Sequence, residues 1–289
     1  MPLTKLKFLP GINRDRSNLA SMGGWYDGDK IRFREGYAEK IGGWTVATFD
    51  RYVGEAVKIF VYSTFTGIEL TRLATSQKIY IRAGTALYDI TPIRATFTST
   101  ATNNCFTTTS GSGVVTVAIT GHGAQNGDFV TFSGAAAVGG VTAAQLNQNF
   151  EITYINANSF SISTAGTATS AATGGGTGIT AAFEINIGPD TSVGGYGWGT
   201  STWGRGTWGS GSATPALISV RLVFMDNFND DLIFNLNDEG PIFYWDFSAG
   251  FTTRAVLLSS ISGAIAVPTK TEQTFFAPSG HLLALGCSE

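Results

Sequence analysis

Apolar and polar residues alternate with a period of two along most of this chain, in runs of four to six residues closed by Gly, Ser, Asn or Pro. That pattern predicts short strands joined by tight turns, with little helix. Between Ala56 and Pro92 the runs are Val57-Lys58-Ile59-Phe60-Val61-Tyr62, residues 70–75, residues 78–82 and residues 87–90. Four strands at such spacing form a meander the size of one propeller blade. The order returns in residues 220–224, 231–234, 242–245 and 251–256, and Lys78-Ile79-Tyr80-Ile81 and Pro241-Ile242-Phe243-Tyr244-Trp245 fall at equivalent places. An internal repeat of radial sheets is therefore expected. A third unit begins at residues 273–276 and 282–285.

Residues 96–183 interrupt this repeat with Thr, Ser, Ala, Gly and Asn and almost no charge. Four alternating runs, residues 114–119, 128–132, 150–155 and 159–162, read as a small β-domain, with Gly121-His122-Gly123 as a hairpin turn and Asn156-Ala157-Asn158 as another. Insertion at an exposed turn of a host is tolerated. The expected division is an N-terminal segment and first blade over 1–95, the insert over 96–183, and a Gly/Trp-rich loop with further blades over 184–289. In that loop Trp198, Trp203 and Trp208 recur every five residues, a period that fits neither strand nor helix.

Composition sharpens the class. Of 289 residues only 13% are charged while 43% are hydrophobic, 12% are aromatic and 37 are glycine, so neither a helical bundle nor a disordered chain is expected. Residues 1–94 hold fourteen Lys and Arg against nine Asp and Glu, and the remainder holds four against twelve. With a pI of about 5.4 the chain lacks the basic signature of a stable nucleic-acid complex. In Lys30-Ile31-Arg32-Phe33-Arg34 the alternation puts Lys30, Arg32 and Arg34 on one face of an exposed strand.

Candidate chemistry is sparse. His122 and His281 are the two histidines, and neither accompanies a G-x-S-x-G elbow, so no triad is expected. Asp230, Asp231, Asp238 and Glu239 could flank a glycosidic bond, but carboxylates in hairpin turns ordinarily serve turn geometry and solvation. Asp27-Gly28-Asp29 lacks the third oxygen ligand of a calcium loop, and Cys105 and Cys287 have no zinc-site spacing. No catalytic residue, metal or cofactor is assigned. The opening ten residues hold no apolar core of signal-peptide length, and no run reaches the ~20 apolar residues of a membrane span, so the protein is expected to be made and kept in the cytoplasm or to leave by lysis. Surplus apolar surface on a chain this poor in charge suits an assembly subunit, with Trp198, Trp203 and Trp208 as interface candidates.

Long motifs at the N-terminus carry a resemblance. Phe8-Leu9-Pro10-Gly11-Ile12-Asn13-Arg14, then Gly23-Gly24-Trp25-Tyr26-Asp27-Gly28-Asp29-Lys30-Ile31-Arg32-Phe33-Arg34-Glu35-Gly36-Tyr37, then Glu39-Lys40-Ile41-Gly42-Gly43-Trp44 resemble the start of the tail nozzle proteins (tail tubular proteins B) of short-tailed bacteriophages. The likeness continues in Leu87-Tyr88-Asp89-Ile90-Thr91-Pro92, in residues 197–209 and in Gly240-Pro241-Ile242-Phe243-Tyr244-Trp245-Asp246. Gly121-His122-Gly123 and Gly127-Asp128-Phe129-Val130 resemble the small β-barrel of the catalytic-cysteine region of ubiquitin-activating enzymes, a module without ubiquitin chemistry here.

The resemblance implies an all-β protein, a partial β-propeller of four-stranded blades with an inserted small β-barrel domain. It implies a virion structural subunit in a sixfold homo-oligomeric ring at the distal tail, below an adaptor protein, beside tail fibres, around a channel that phage DNA crosses. Lys30, Arg32 and Arg34 then face the adaptor or the channel. Family members are commonly longer, and residues 184–289 read as truncated blades, so either a C-terminal part is missing or the closing blades are supplied otherwise. Two other classes fit less well: a carbohydrate-binding receptor module using the tryptophans, and a tail-associated glycan hydrolase.

Overall fold

The computed structural model describes residues 9–15, 17–43, 45, 50–99, 104–188, 221–237 and 240–287. Two compact units divide the chain, Met1–Ala47 and Thr48–Glu289. In the first, β1 (Ile31–Arg34) and β2 (Tyr37–Lys40) form an antiparallel hairpin. Its two-residue turn puts Glu35 at φ 51° and Gly36 at φ 85°, the paired left-handed conformation whose twist matches that of the strands.

The second unit is built from antiparallel sheets. β3 (Ala56–Ser63), β4 (Glu69–Thr75), β5 (Ile79–Ala83) and β6 (Ala86–Asp89) pair in simple chain order, the meander that the alternation predicts. Leu70, Ala74, Ile79 and Ile81 lie on one face and are fully buried. On the other face Ile59 and Val61 of the edge strand β3 stay more than half exposed.

Between this sheet and its later counterpart stand nine strands in two sheets. One has the order β11-β10-β15-β7 and the other β12-β13-β9-β8-β14. Their ranges are β7 (Ile93–Thr98), β8 (Phe106–Thr108), β9 (Val114–Ala118), β10 (Phe129–Ser133), β11 (Asn149–Glu151), β12 (Thr153–Asn156), β13 (Ser159–Ser163), β14 (Ala172–Gly174) and β15 (Thr180–Glu184). Four runs are predicted from alternation; the other elements are too short or too rich in Thr, Ala and Gly to show it. The run 150–155 is two strands in different sheets, because the fully buried Ile152 sits at the corner between them. Residues 121–123 do not close a hairpin, since β9 pairs with β8 and β13 while β10 pairs with β11 and β15. A one-turn helix, α1 (Ala143–Leu146), starts at a capping box between Thr142 and Gln145 and buries Leu146. The two sheets enclose one apolar cluster that includes Phe106, Val117, Phe132, Phe160, Ile162 and Phe183. At Gly139, φ +55°, an added Cβ would lie 2.0 Å from Thr108 Oγ1, so only glycine permits that approach.

The second meander follows as β16 (Val223–Phe228), β17 (Asp231–Leu236), β18 (Ile242–Trp245) and β19 (Val256–Leu257), again paired in chain order. Its fourth strand is two residues long and does not fill the predicted 251–256. Asp246 caps a short 3₁₀ turn, Phe247–Ala249, and the rings of Phe247 and Phe251 turn inward onto Trp245, which removes those residues from the ladder. Val223, Met225, Leu232, Phe234, Phe243 and Trp245 join Leu70, Ala74, Ile79 and Ile81 in a second apolar cluster, so the two meanders share one core. The hairpin β20 (Gln273–Phe276) and β21 (Leu282–Leu285) packs on the other side of the second meander. There Asn235 bonds Thr271, Glu272 and Thr274, and Phe276 stacks on Phe228. Among the described residues no helix is long and apolar enough to cross a membrane.

Candidate functional site

The densest polar constellation lies where the first meander meets the nine-stranded unit. Thr75 builds one side of it: its Oγ1 accepts from the amides of Gln77 (3.2 Å) and Lys78 (2.8 Å), which fixes the turn into β5. Lys78 is thereby aimed inward, its side chain 3% exposed. Its ammonium donates to Asp89 Oδ2 (2.8 Å), Glu184 Oε2 (2.9 Å) and Asn149 Oδ1 (2.9 Å). It also stands 4.4 Å from the centre of the Phe129 ring. From the second meander Arg254 reaches Asp89 Oδ1 (2.6 Å), Glu184 Oε1 (3.1 Å) and the Thr91 carbonyl (3.1 Å). Asn149 Nδ2 completes Glu184 by donating to Oε1 at 2.8 Å.

Two cations and two carboxylates therefore cancel in a cluster in which Lys78 and Glu184 are buried, Asp89 and Arg254 are half-buried, and every charge has a partner, the condition under which buried ions are tolerated. Burial pushes the Glu184 carboxyl above the usual carboxylate range and the negative charge of Asp89 adds to the shift, while Lys78 and Arg254 oppose it. Every oxygen of the two carboxylates accepts from a donor of this chain, and the arrangement joins three segments.

A second buried cation behaves differently. Arg72, fully buried on β4, donates through Nη2 to the Asp231 carbonyl (2.9 Å) and lies 3.6 Å from the centre of the Tyr62 ring. Its Nε and Nη1 have no partner. Burial lowers its pKa to about 10, with Tyr62 the leading opposing influence. Tyr62 donates its hydroxyl to the Asp230 carbonyl at 2.5 Å, so both residues grip the β16–β17 turn.

His122 is buried; its Nδ1 accepts from the Ala124 amide (3.0 Å), its Nε2 meets the Asn156 carbonyl (2.9 Å), and its ring lies against Phe160 and Phe183. Both nitrogens are occupied within the protein. Asp231 accepts from the Tyr244 hydroxyl (2.6 Å) and the Phe247 amide (2.9 Å), and Asp230 Oδ1 accepts from the Phe65 amide (2.8 Å), so these carboxylates hold turns. Asp238 and Glu239, and the loop with Trp198, Trp203 and Trp208, lie outside the described residues. Arg32 and Arg34 are exposed on β1, and Lys30 precedes the strand at φ 56°. Arg32 Nε pairs with Glu39 across the hairpin at 2.5 Å, which offsets part of that cationic face. Cys105 is buried, which raises its thiol pKa to about 11, and Cys287 is exposed. Among the described residues no group of three or more His, Cys, Asp or Glu could hold a metal ion.

Sequence reading missed the members of both buried clusters. A signal was present: in a chain this poor in charge, Arg72 sits between Leu70 and Ala74 in the period-two pattern, where an apolar residue is expected.

No protein-family model matches the chain, and no curated protein sequence matches it. Among solved structures it is similar to the phage phi92 endosialidase, at 16% sequence identity and a TM-score of 0.27, over 84% of this chain. The chain spans 35% of that protein's length. What the geometry itself defines is a mostly β protein of stacked antiparallel sheets.

Proposed function

We propose that this chain is a structural subunit of the tail nozzle of a short-tailed bacteriophage. The observation that carries the reading is the recurrence of a four-stranded meander in simple strand order on either side of the nine-stranded unit, in a chain whose N-terminal motifs resemble that family. In this reading the meanders are successive propeller blades and the nine-stranded unit is an inserted small barrel. Copies assemble head to tail into a ring, the heterologous geometry that closes by rotation. The ring lies under the tail adaptor, and DNA passes through its channel. Trp198, Trp203 and Trp208 supply one subunit contact, and the exposed Lys30 and Arg34 face the adaptor or the channel. The polar clusters described above serve cohesion in this reading, and the chain has no catalytic role.

The test is localisation in the particle. Antibody fragments raised against the chain should decorate the distal tail in electron micrographs, and Trp203→Ala with Trp208→Ala should reduce incorporation into tails while the chain stays folded. Decoration of the capsid, or absence of the chain from purified particles, would overturn the reading.

A further inference from the structure

We infer that the nine-stranded unit is a hinged arm, latched to the two meanders by the Lys78 cluster and able to swing on a two-strand neck when that latch opens. Three observations converge on this. The apolar cluster of the nine strands and that of the meanders share no residue, so no continuous core crosses the junction. Separation would therefore expose little apolar surface, the main resistance to opening a packed interface.

The neck is narrow. The chain enters at Pro92 and Ile93 and returns at Glu184 and Ile185, with Glu184 opposite Ile93 and the Ile185 amide bonded to the Pro92 carbonyl at 3.0 Å. The register then slips: Phe183 faces Ala95 while Glu184 faces Ile93, which leaves Arg94 as the extra residue of a bulge. A bulge at the base of a ribbon bends it and breaks the regular ladder, and the backbone changes of a hinge concentrate in a few such residues.

Across the junction stand charged and amide groups. Lys78 and Asp89 come from the first meander and Arg254 from the second, Glu184 stands at the neck, and Asn149 and the Phe129 ring come from the arm. Phe129 is buried yet belongs to neither apolar cluster. Buried ion pairs contribute little net stability against an apolar alternative. They do demand one geometry, and rehydration of the separated charges offsets their loss. Asp128, held at 2.6 Å by Asn186 two residues beyond β15, keeps the base of the arm attached as it moves.

The test places spin labels on exposed sites of the arm (Thr109→Cys) and of the first meander (Ser63→Cys), with Cys287→Ser, and measures their separation by pulsed dipolar spectroscopy. The unaltered junction should give one narrow distance peak. Lys78→Met paired with Glu184→Gln, which leaves Arg254 matched to Asp89, should broaden the peak and add a second distance while circular dichroism still reports folded sheets. Asn149→Ala should broaden it less. A peak as narrow in the double variant as in the parent overturns the arm. Loss of both apolar cores together in that variant also overturns it, because the junction would then be part of a single core.

Discussion

The two junctions of the larger unit solve the same problem with opposite materials. Where the meanders meet each other, Leu70, Ile79, Phe234, Phe243 and Trp245 are buried together and one cation, Arg72, is buried with two nitrogens unpartnered. Where the meanders meet the nine-stranded unit, there are two cations and two carboxylates, each of them partnered. The difference shows that burial of a charge does not by itself reveal its worth. Lys78 sits in a neutral set that fails if one member is removed. Arg72 bears a desolvation cost that its stacking on Tyr62 and its bond to the Asp231 carbonyl only partly offset.

The largest expected effect comes from the apolar junction. Phe234→Ala removes a fully buried ring stacked on Phe243 at 5.3 Å and should cost about 3–5 kcal/mol of unfolding free energy by denaturant titration. A loss under 1 kcal/mol would mean that the meanders do not depend on this shared core. Lys78→Met alone should cost about 3 kcal/mol or slightly more, because it strands the second carboxylate. Adding Glu184→Gln should recover most of that loss, and strict additivity of the two changes would show that the cluster is not coupled.

Arg72→Met should lie within about 1 kcal/mol of the parent, since an apolar side chain of similar length relieves two unpartnered donors. The same substitution at Lys78 should be several times more costly. The smallest effect concerns the thiols. Cys287 should react with an aromatic disulfide reagent in the folded protein and Cys105 only on unfolding. The Cys105 thiol is raised from 9.0 to about 11, so the folded state holds its proton more tightly than the unfolded chain. Its contribution to stability is complete below pH 9 and declines as the pH rises through about 11. Rapid modification of both thiols at pH 8 would contradict this.

The meanders were legible because their alternation reports one buried face directly: Leu70, Ala74, Ile79 and Ile81 can be read off as period-two positions. The fourth strand of the second meander was not, since Phe251 in residues 251–256 is drawn out of the ladder by ring packing on Trp245, a tertiary preference that alternation does not encode. In the nine-stranded unit, β8 and β14 are three residues long and made mostly of Thr, Ala and Gly, too short for a period to register. Neither buried cluster was legible as a site. Lys78, Asp89, Glu184 and Arg254 are spread over 177 positions of sequence and become neighbours only once the neck brings Ile93 opposite Glu184. Asp230 and Asp231, by contrast, read as turn carboxylates and bond turn amides in the structure.

The claim that the larger unit consists of two separately cored bodies is tested most directly by excision. Replacing residues 96–183 with a short Gly/Ser linker keeps Lys78, Asp89, Glu184 and Arg254, and it removes the whole apolar cluster of Phe106, Phe132 and Phe160. The account predicts soluble protein that unfolds cooperatively in denaturant, with the near-ultraviolet dichroism of the buried Trp245 retained until the transition. A chain that is insoluble, or that shows no cooperative transition and no Trp245 signal, would contradict it.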